Sequence, residues 1–372
     1  MSMIDLNNHT FGEKPTINSL NDYPTMIEII DSVMFKVGLD SNNLLRSFMA
    51  PVFVDGYMAC TIGKGPNIVG LCPKGFTTLK RFRGQQHYYN ICLSSYDRIV
   101  DEKDKIMADL HASEFEILLR SHPVIQFILS RTVNTSVGPI FFNIDFEGLA
   151  QHYGIPTKVF DFSNDLASSA FFAVTAYNKL TDQYTPYIPL ESASFDDLYG
   201  ILYYCDDIQY EGDMCFRPLG MHYFNRPGAQ SGFAFAPKNE RDLNKLSYIK
   251  KIFFRHDANA SKVIFNSLAK GKMLFPKDSL CGKAKKIIDK KDICSAAAFK
   301  LWCEKNRNIR TQNQAEKLLQ ENNIHVVENP LVIFEHDEID KDCKEWDAFG
   351  KDRFLEKVTI VPFFKPIDNT IR

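Results

Sequence analysis

Gln151-His152-Tyr153-Gly154-Ile155-Pro156-Thr157-Lys158-Val159-Phe160-Asp161-Phe162-Ser163 joins the end of a helix to the start of a strand. Gly154 suits the left-handed cap that stops a helix carrying Leu149, His152 and Tyr153, and Pro156 pushes the residue before it out of helical geometry. The chain is therefore expected to run extended from Lys158 to Asp161. Asp161 follows two apolar residues on a buried strand, where a carboxylate needs a partner. Beyond it, Leu166 to Tyr177 is rich in Ala and Phe and reads as a closely packed helix capped by Ser163 or Asn164. An amide, an imidazole, a phenol and a carboxylate crowded beside buried structure point to the wall of a pocket.

Upstream, residues 1–20 are rich in Asn, Thr and Ser without periodicity and read as a loose arm or irregular lead-in. Met26, Ile29, Ile30, Val33 and Val37 follow helical spacing after Pro24, with Gly38 as the cap. Runs at 52–54, 57–60 and 68–71 read as short antiparallel strands. A strand near 79–84 places Arg83 at or close to its end. Residues 101–121 form a helix with Asp101 and Glu102 at its positive end, and Asn143 or Asp145 caps the helix that ends at Gly154. Strands follow at 199–205, 232–236 and 248–255. Beyond Ala258 the pattern turns helical at 260–270, 295–306 and 312–322, and two strands return at 331–335 and 358–364. The expected class is α+β, with a mixed, mainly antiparallel central sheet flanked by helices and a largely helical C-terminal extension.

With 372 residues, 45% of them hydrophobic and 24% charged, the chain has the composition of a folded soluble protein with a sizeable core. A net charge of -2 offers no overall electrostatic case for nucleic acid or membrane, although it leaves room for a local basic patch. The nine cysteines are odd in number, scattered and free of C-x-x-C pairs, which points to a reducing compartment. No apolar run is long enough for a bilayer span or a signal peptide. Cytoplasmic localisation is the expectation.

Arg83 offers a rigid two-pronged donor for phosphate or carboxylate, and Gly84 lets a ligand approach the backbone. The alternative is an Arg83 paired with Asp161 to hold two elements together. Gln85 adds an oriented amide. His152 and Tyr153 sit at a helix C-terminus, facing either a ligand or the core. Ser163 is a cap or a pocket hydroxyl. Gln230 precedes Gly232 on a small-residue strand, where a ligand or a tight sheet contact accounts for the glycine equally. Lys283, Lys285, Lys286, Lys290 and Lys291 read as a solvated helix face. No clustered His or Cys spacing supports a metal site, and no G-x-S-x-G elbow, Walker loop or Rossmann glycine loop is present. A triad of His152, Asp161 and Ser163 is disfavoured, because alternate residues of an extended segment point apart.

Phe82-Arg83-Gly84-Gln85, Ala150 to Gly154 with Pro156-Thr157 and Asp161, Arg226 to Phe233 and Leu274-Phe275-Pro276 together resemble, in order, the motifs of the FRG domain, a bacterial family. Lys158, Val159, Phe160, Phe162 and Ser163 depart from the Arg-Leu-Leu-Asp-Trp-Thr usual there. The resemblance implies an FRG-like α+β domain at 76–257, preceded by a helix and short-strand layer at 1–75 and followed by a mostly helical region at 258–372. A more distant likeness to the ADP-ribosyltransferase plan implies NAD as a substrate, with no cofactor required. On that plan Arg83 grips the pyrophosphate, Ser163 shapes the nicotinamide ribose site and the Gln230 to Gly232 strand is the late strand; the expected site as a whole has Arg83, His152 and Asp161 as catalytic and Gln85, Tyr153, Ser163 and Gln230 as substrate-binding. The plan's catalytic Glu falls at Gly232, so a carboxylate such as Asp161, Glu211 or Asp213 must take its place for turnover. The expected function is thus an ADP-ribosyltransferase-like or NAD-cleaving protein, in a bacterial defence setting. The alternative is a non-catalytic module that recognises nucleic acid or a protein partner.

Overall fold

A computed structural model describes residues 9–36, 57–61, 68–73, 80–135, 138–178, 180–206, 216–219, 224, 226–238, 240–276, 278–349 and 358–360. Its centre is a six-stranded sheet of order β10-β11-β6-β3-β9-β12, antiparallel throughout. These strands are β3 (Lys80–Gln85), β6 (Phe160–Ser163), β9 (Tyr199–Asp206), β10 (Phe216–Pro218), β11 (Gly232–Phe235) and β12 (Lys250–Arg255). Apolar side chains alternate between its two faces, as a pleated strand requires. Leu202 and Tyr204 of β9 join Phe82 and Phe254 on one face, and Ile201 and Tyr203 join Phe160, Phe162, Phe233 and Phe235 on the other. Both faces being covered explains why β9 reads as a nearly continuous apolar run.

On the first face lie α1 (Met26–Lys36), α5 (Leu166–Val174) and α7 (Ala258–Ser267). A second layer is organised by α2 (Glu102–Ser121), capped by Asp101 accepting from the Asp104 amide at 2.9 Å. The C-terminal half of α2 joins α3 (Pro123–Leu129), α4 (Phe146–His152), α8 (Ser279–Ile288) and α11 (His336–Phe349) around Leu119, Leu149, Tyr153 and Trp346. Its N-terminal half packs Ile106 and Leu110 against α9 (Ala296–Lys305) and α10 (Gln312–Glu321). A second, five-stranded sheet of order β15-β1-β2-β5-β4 approaches β10 of the first through β1 and β2. It contains β1 (Tyr57–Thr61), β2 (Ile68–Pro73), β4 (Thr132–Thr135), β5 (Gly138–Phe142) and β15 (Val358–Ile360), with β1–β15 and β2–β5 parallel. Two small ribbons, the antiparallel β7 (Thr175–Asn178) with β8 (Gln183–Pro186) and the parallel β13 (Ile293–Ser295) with β14 (His325–Val327), complete the fold. The architecture is α+β.

Several local expectations change. The helix from Leu166 ends at Val174, because Thr175 turns extended and begins β7. Its cap is Asp165, which accepts from the amides of Ala167 and Ser168 at 3.1 and 2.9 Å, and neither Ser163 nor Asn164 fills that role. Asp145 rather than Asn143 caps α4. Residues 331–335 pair with no strand and lead instead into α11. Of the two readings of the N-terminal stretch, an irregular lead-in rather than a loose arm is what is found where it is described, with Phe11 against Tyr23 at 5.9 Å and the Tyr23 hydroxyl donating to Glu13 O at 2.8 Å. Gly38, the strand at 52–54, Glu211 and Asp213 lie outside the described residues.

Candidate functional site

The central sheet comes apart between β3 and β6. Along β3 and β9 every position from Lys80–Asp206 to Gln85–Ile201 is paired, and β6 is paired along its length with β11, yet β3 and β6 meet only at Phe82–Ser163. Beyond that rung the strands diverge and leave a cleft of about 280 Å³. Arg83 and Gly84 come to it from β3 and Asp161 and Ser163 from β6, and His152, Gln230, Gly232, Ser169, Phe172 and Tyr184 also line it. Of the seven residues singled out from the sequence, Arg83, His152, Asp161, Ser163 and Gln230 are thus gathered around one cavity. Gln85 and Tyr153 are not among its lining.

Arg83 bridges the gap by donating from Nη1 to the main-chain oxygen of Asp161 at 2.9 Å, and its guanidinium lies 5.7 Å from the Phe160 ring. It makes no ion pair with a carboxylate among the described residues, and its buried Nε has no hydrogen-bond partner. The Arg83–Asp161 link is therefore real but runs through a peptide carbonyl, which leaves the cation's charge available.

His152 closes α4, with only 4% of its side chain exposed. Nε2 lies 3.5 Å from Asp161 Oδ1, and both atoms are buried and without a hydrogen-bond partner, the separation being ion-pair range rather than bonding distance. Burial lowers the imidazole's affinity for a proton below the usual histidine range. The Asp161 carboxylate opposes that effect, and the positive charge of Arg226 adds to it. The Asp161 side chain itself is 41% exposed and is the one carboxylate among the residues described as lining the cleft.

Gly232 pairs with Ser163 at the base of the cleft. A Cβ at that position would stand 2.9 Å from both Cε1 and Nε2 of His152, inside ordinary contact distance. The glycine is there to admit the imidazole. The segment before it, expected to be strand, is a short helical turn, α6 (Arg226–Ala229), followed by Ser231 in the left-handed region at φ 47°.

Gln230 is fixed from both ends, with Nε2 donating to Leu274 O at 3.0 Å and its main-chain oxygen accepting from Ser163 Oγ at 2.7 Å. Ser163 Oγ also accepts from the Asp165 amide at 2.8 Å, so its hydroxyl is committed to joining β6, α5 and the Gln230 turn. Tyr153 is held in the core, its hydroxyl donating to Asp278 Oδ2 at 2.6 Å, and burial raises its pKa well above the tyrosine norm. Asp278 caps α8, so this bond ties α4 to α8. Gln85 accepts from Cys92 Sγ at 3.7 Å.

Sequence reading missed Ser169, Phe172 and Tyr184. Tyr184 stacks on Phe275 at 4.9 Å and lies 5.0 Å from Tyr177, and burial pushes its hydroxyl up to about 12. The available signal was Asn178 to Asp182, a turn-rich run between two extended segments, with Asp182 left-handed at φ 52°. Arg226 is half-buried between Tyr153 and Phe275, at 5.7 and 4.8 Å from their rings, with Nη1 3.7 Å from Cys281 Sγ. Among the described residues no group of His, Cys, Asp and Glu has the makings of a metal site. None of the described helices is long and apolar enough to cross a membrane.

The site defines an α+β protein with a small polar cleft in a parted antiparallel sheet. Residues 80–182 match the family model of the FRG domain, so the chain carries an FRG domain. The matched segment holds the Phe82-Arg83-Gly84 and Gln151 to Asp161 motifs, whereas Gln230, Gly232 and Leu274 complete the cleft from beyond it. Neither the curated proteins nor the solved structures contain a match to this chain.

Proposed function

We propose that the cleft binds a nucleotide-type ligand and cleaves its N-glycosidic bond, with NAD as the prime substrate. The observation that carries this reading is the convergence of Arg83, His152 and Asp161 on one cavity, each with a buried polar atom left unpaired. Unpaired buried groups cost stability, and they cluster where a ligand is to be met. A guanidinium without a carboxylate partner suits a phosphate. A cavity of about 280 Å³ suits one nucleoside-sized end of a dinucleotide, small-molecule sites starting at roughly 300 Å³. Asp161 is the carboxylate that would face the positive charge developing on the sugar as the bond to nicotinamide breaks. A fixed charge of that kind is worth about 3 kcal/mol in a dry site. Gly232, where the ADP-ribosyltransferase plan has Glu, is reserved for His152, so the carboxylate is supplied from β6 instead. A bacterial defence role accords with this activity.

NAD, ADP-ribose and AMP are each expected to raise the melting temperature of the protein, and Arg83→Ala to abolish the rise. Asp161→Asn should keep the NAD shift and lose nicotinamide release. A flat response to all three nucleotides overturns the reading. A second reading, recognition of nucleic acid or an acidic protein surface, rests on Lys285, Lys286, Lys290 and Lys291, which are exposed and form no ion pair among the described residues. Lys283 does not belong with them, since it is buried against Glu338 at 2.6 Å and donates to Ile333 O at 2.8 Å. Binding to RNA, DNA or a protein that falls steeply with salt, and disappears when those four lysines are neutralised, supports that reading.

A further inference from the structure

We infer that His152 and Asp161 together hold an attacking water, so that the reaction of this cleft is hydrolysis rather than transfer to a macromolecular acceptor. The inference rests on the nucleotide reading above and specifies its chemistry. His152 Nε2 and Asp161 Oδ1 stand 3.5 Å apart at the cleft, both buried and both without a hydrogen-bond partner. Each such atom costs about 1–3 kcal/mol if left unpaired. One water can donate a proton to each, which satisfies both atoms and leaves its lone pairs directed at the bound ligand. The absence of a side chain at Gly232 is what permits the ring to stand there. The ring nitrogen lies deep, with 4% of the side chain exposed, too deep for the side chain of another protein to reach.

Competing nucleophiles and bases are already committed. Ser163 Oγ donates to Gln230 O and accepts from the Asp165 amide. Tyr184 keeps its proton, its hydroxyl being pushed up to about 12. His152, which burial keeps neutral near pH 7, retains the lone pair a base requires. In the step itself the water oxygen bonds to the anomeric carbon as the bond to the pyridinium nitrogen breaks. The bonding pair leaves with nicotinamide, which departs neutral. The water's proton passes to His152 Nε2 and then to solvent, giving nicotinamide, ADP-ribose and one proton from NAD and water.

The test incubates the full chain with NAD and measures nicotinamide, free ADP-ribose and protein-bound ADP-ribose. Nicotinamide and free ADP-ribose are expected in equal amounts. His152→Ala should lower release by about 10²–10⁴-fold while the NAD melting shift persists. Azide, which attacks without a proton to lose, should restore nicotinamide release in that variant and form ADP-ribosyl azide. His152→Gln, closer in shape, should show the same loss of turnover if the alanine variant does not fold. Unchanged release in either variant, no rescue by azide in a folded and NAD-binding variant, or ADP-ribose appearing on protein instead of free would each overturn the inference while leaving nucleotide binding in place. A wild-type protein that neither binds nor cleaves NAD sinks the nucleotide reading, and this inference with it.

Discussion

Gly232 shows how much one missing methyl group decides. It was legible as a close approach, but what approaches it was not, because His152 is far away in the chain and its ring position depends on how α4 meets β11. Replacing Gly232 by Ala would place Cβ 2.9 Å from the imidazole and 3.3 Å from Pro227 O. Either the ring or the α6 turn must then shift. The expected outcome is a loss of about 1–3 kcal/mol by urea unfolding, together with loss of nicotinamide release. At the same scale, Arg83, His152, Asp161, Ser163 and Gln230 were readable as site residues because polar types in a mostly apolar segment stand out. Tyr153 stands out equally by type, and only its bond to Asp278 reveals that it faces the core. A sequence carries residue type, whereas the side a helix residue faces at the final turn depends on tertiary packing.

Among the elements, α4 matters most for the site, since it is a short helix whose last residue is His152. A helix of this length does not stand without tertiary support. Its N-cap Asp145, with 6% of its side chain exposed, accepts from the Gly148 amide at 3.1 Å, while its Oδ2 lies 2.7 Å from Arg217 Nε on β10. Burial raises the Asp145 pKa, and the Arg217 charge opposes the rise. Arg217→Met is expected to leave a buried carboxylate uncompensated and to cost about 3 kcal/mol. Hydrogen exchange across residues 146–152 should quicken, since that cap sets the position of His152. Elements were legible where a local signal was strong. Asp101 before a long periodic helix, Gly154 before Pro156 and the apolar run of β9 all found their predicted places. The failures occurred where the local signal was shared. Ser163, Asn164 and Asp165 are all capping types in succession, and only packing selects Asp165.

For the molecule as a whole, buried histidines are one source of acid sensitivity. Burial lowers the proton affinity of His111, His152 and His256, the last to about 4, where its Nε2 bonds to Gln86 O at 2.8 Å. Each binds a proton more readily unfolded than folded, so each contributes stability that is complete above about pH 6.5 and is lost as pH falls toward the folded value. For His256 the span corresponds to roughly 3 kcal/mol. Asp165, whose carboxyl burial pushes up to about 6, acts in the opposite sense over the same window, so the test is the difference between proteins: His256→Gln is expected to raise the urea midpoint at pH 4 relative to pH 7 when compared with wild type. The fold class could be read from the sequence at this scale because alternation and helical period are local. The cleft could not, for it arises where two strands fail to stay paired.

That parting carries a consequence of its own. Strands elsewhere in the sheet use their peptide groups on each other, but past the Phe82–Ser163 rung the facing edges of β3 and β6 have no neighbouring ladder to occupy them. A guest seated there meets main-chain donors and acceptors that no point substitution removes. Apart from loss of the Arg83 charge, single replacements should therefore alter chemistry and selectivity more readily than they erase all affinity. The most durable part of the recognition surface would be the one that residue identity does not encode.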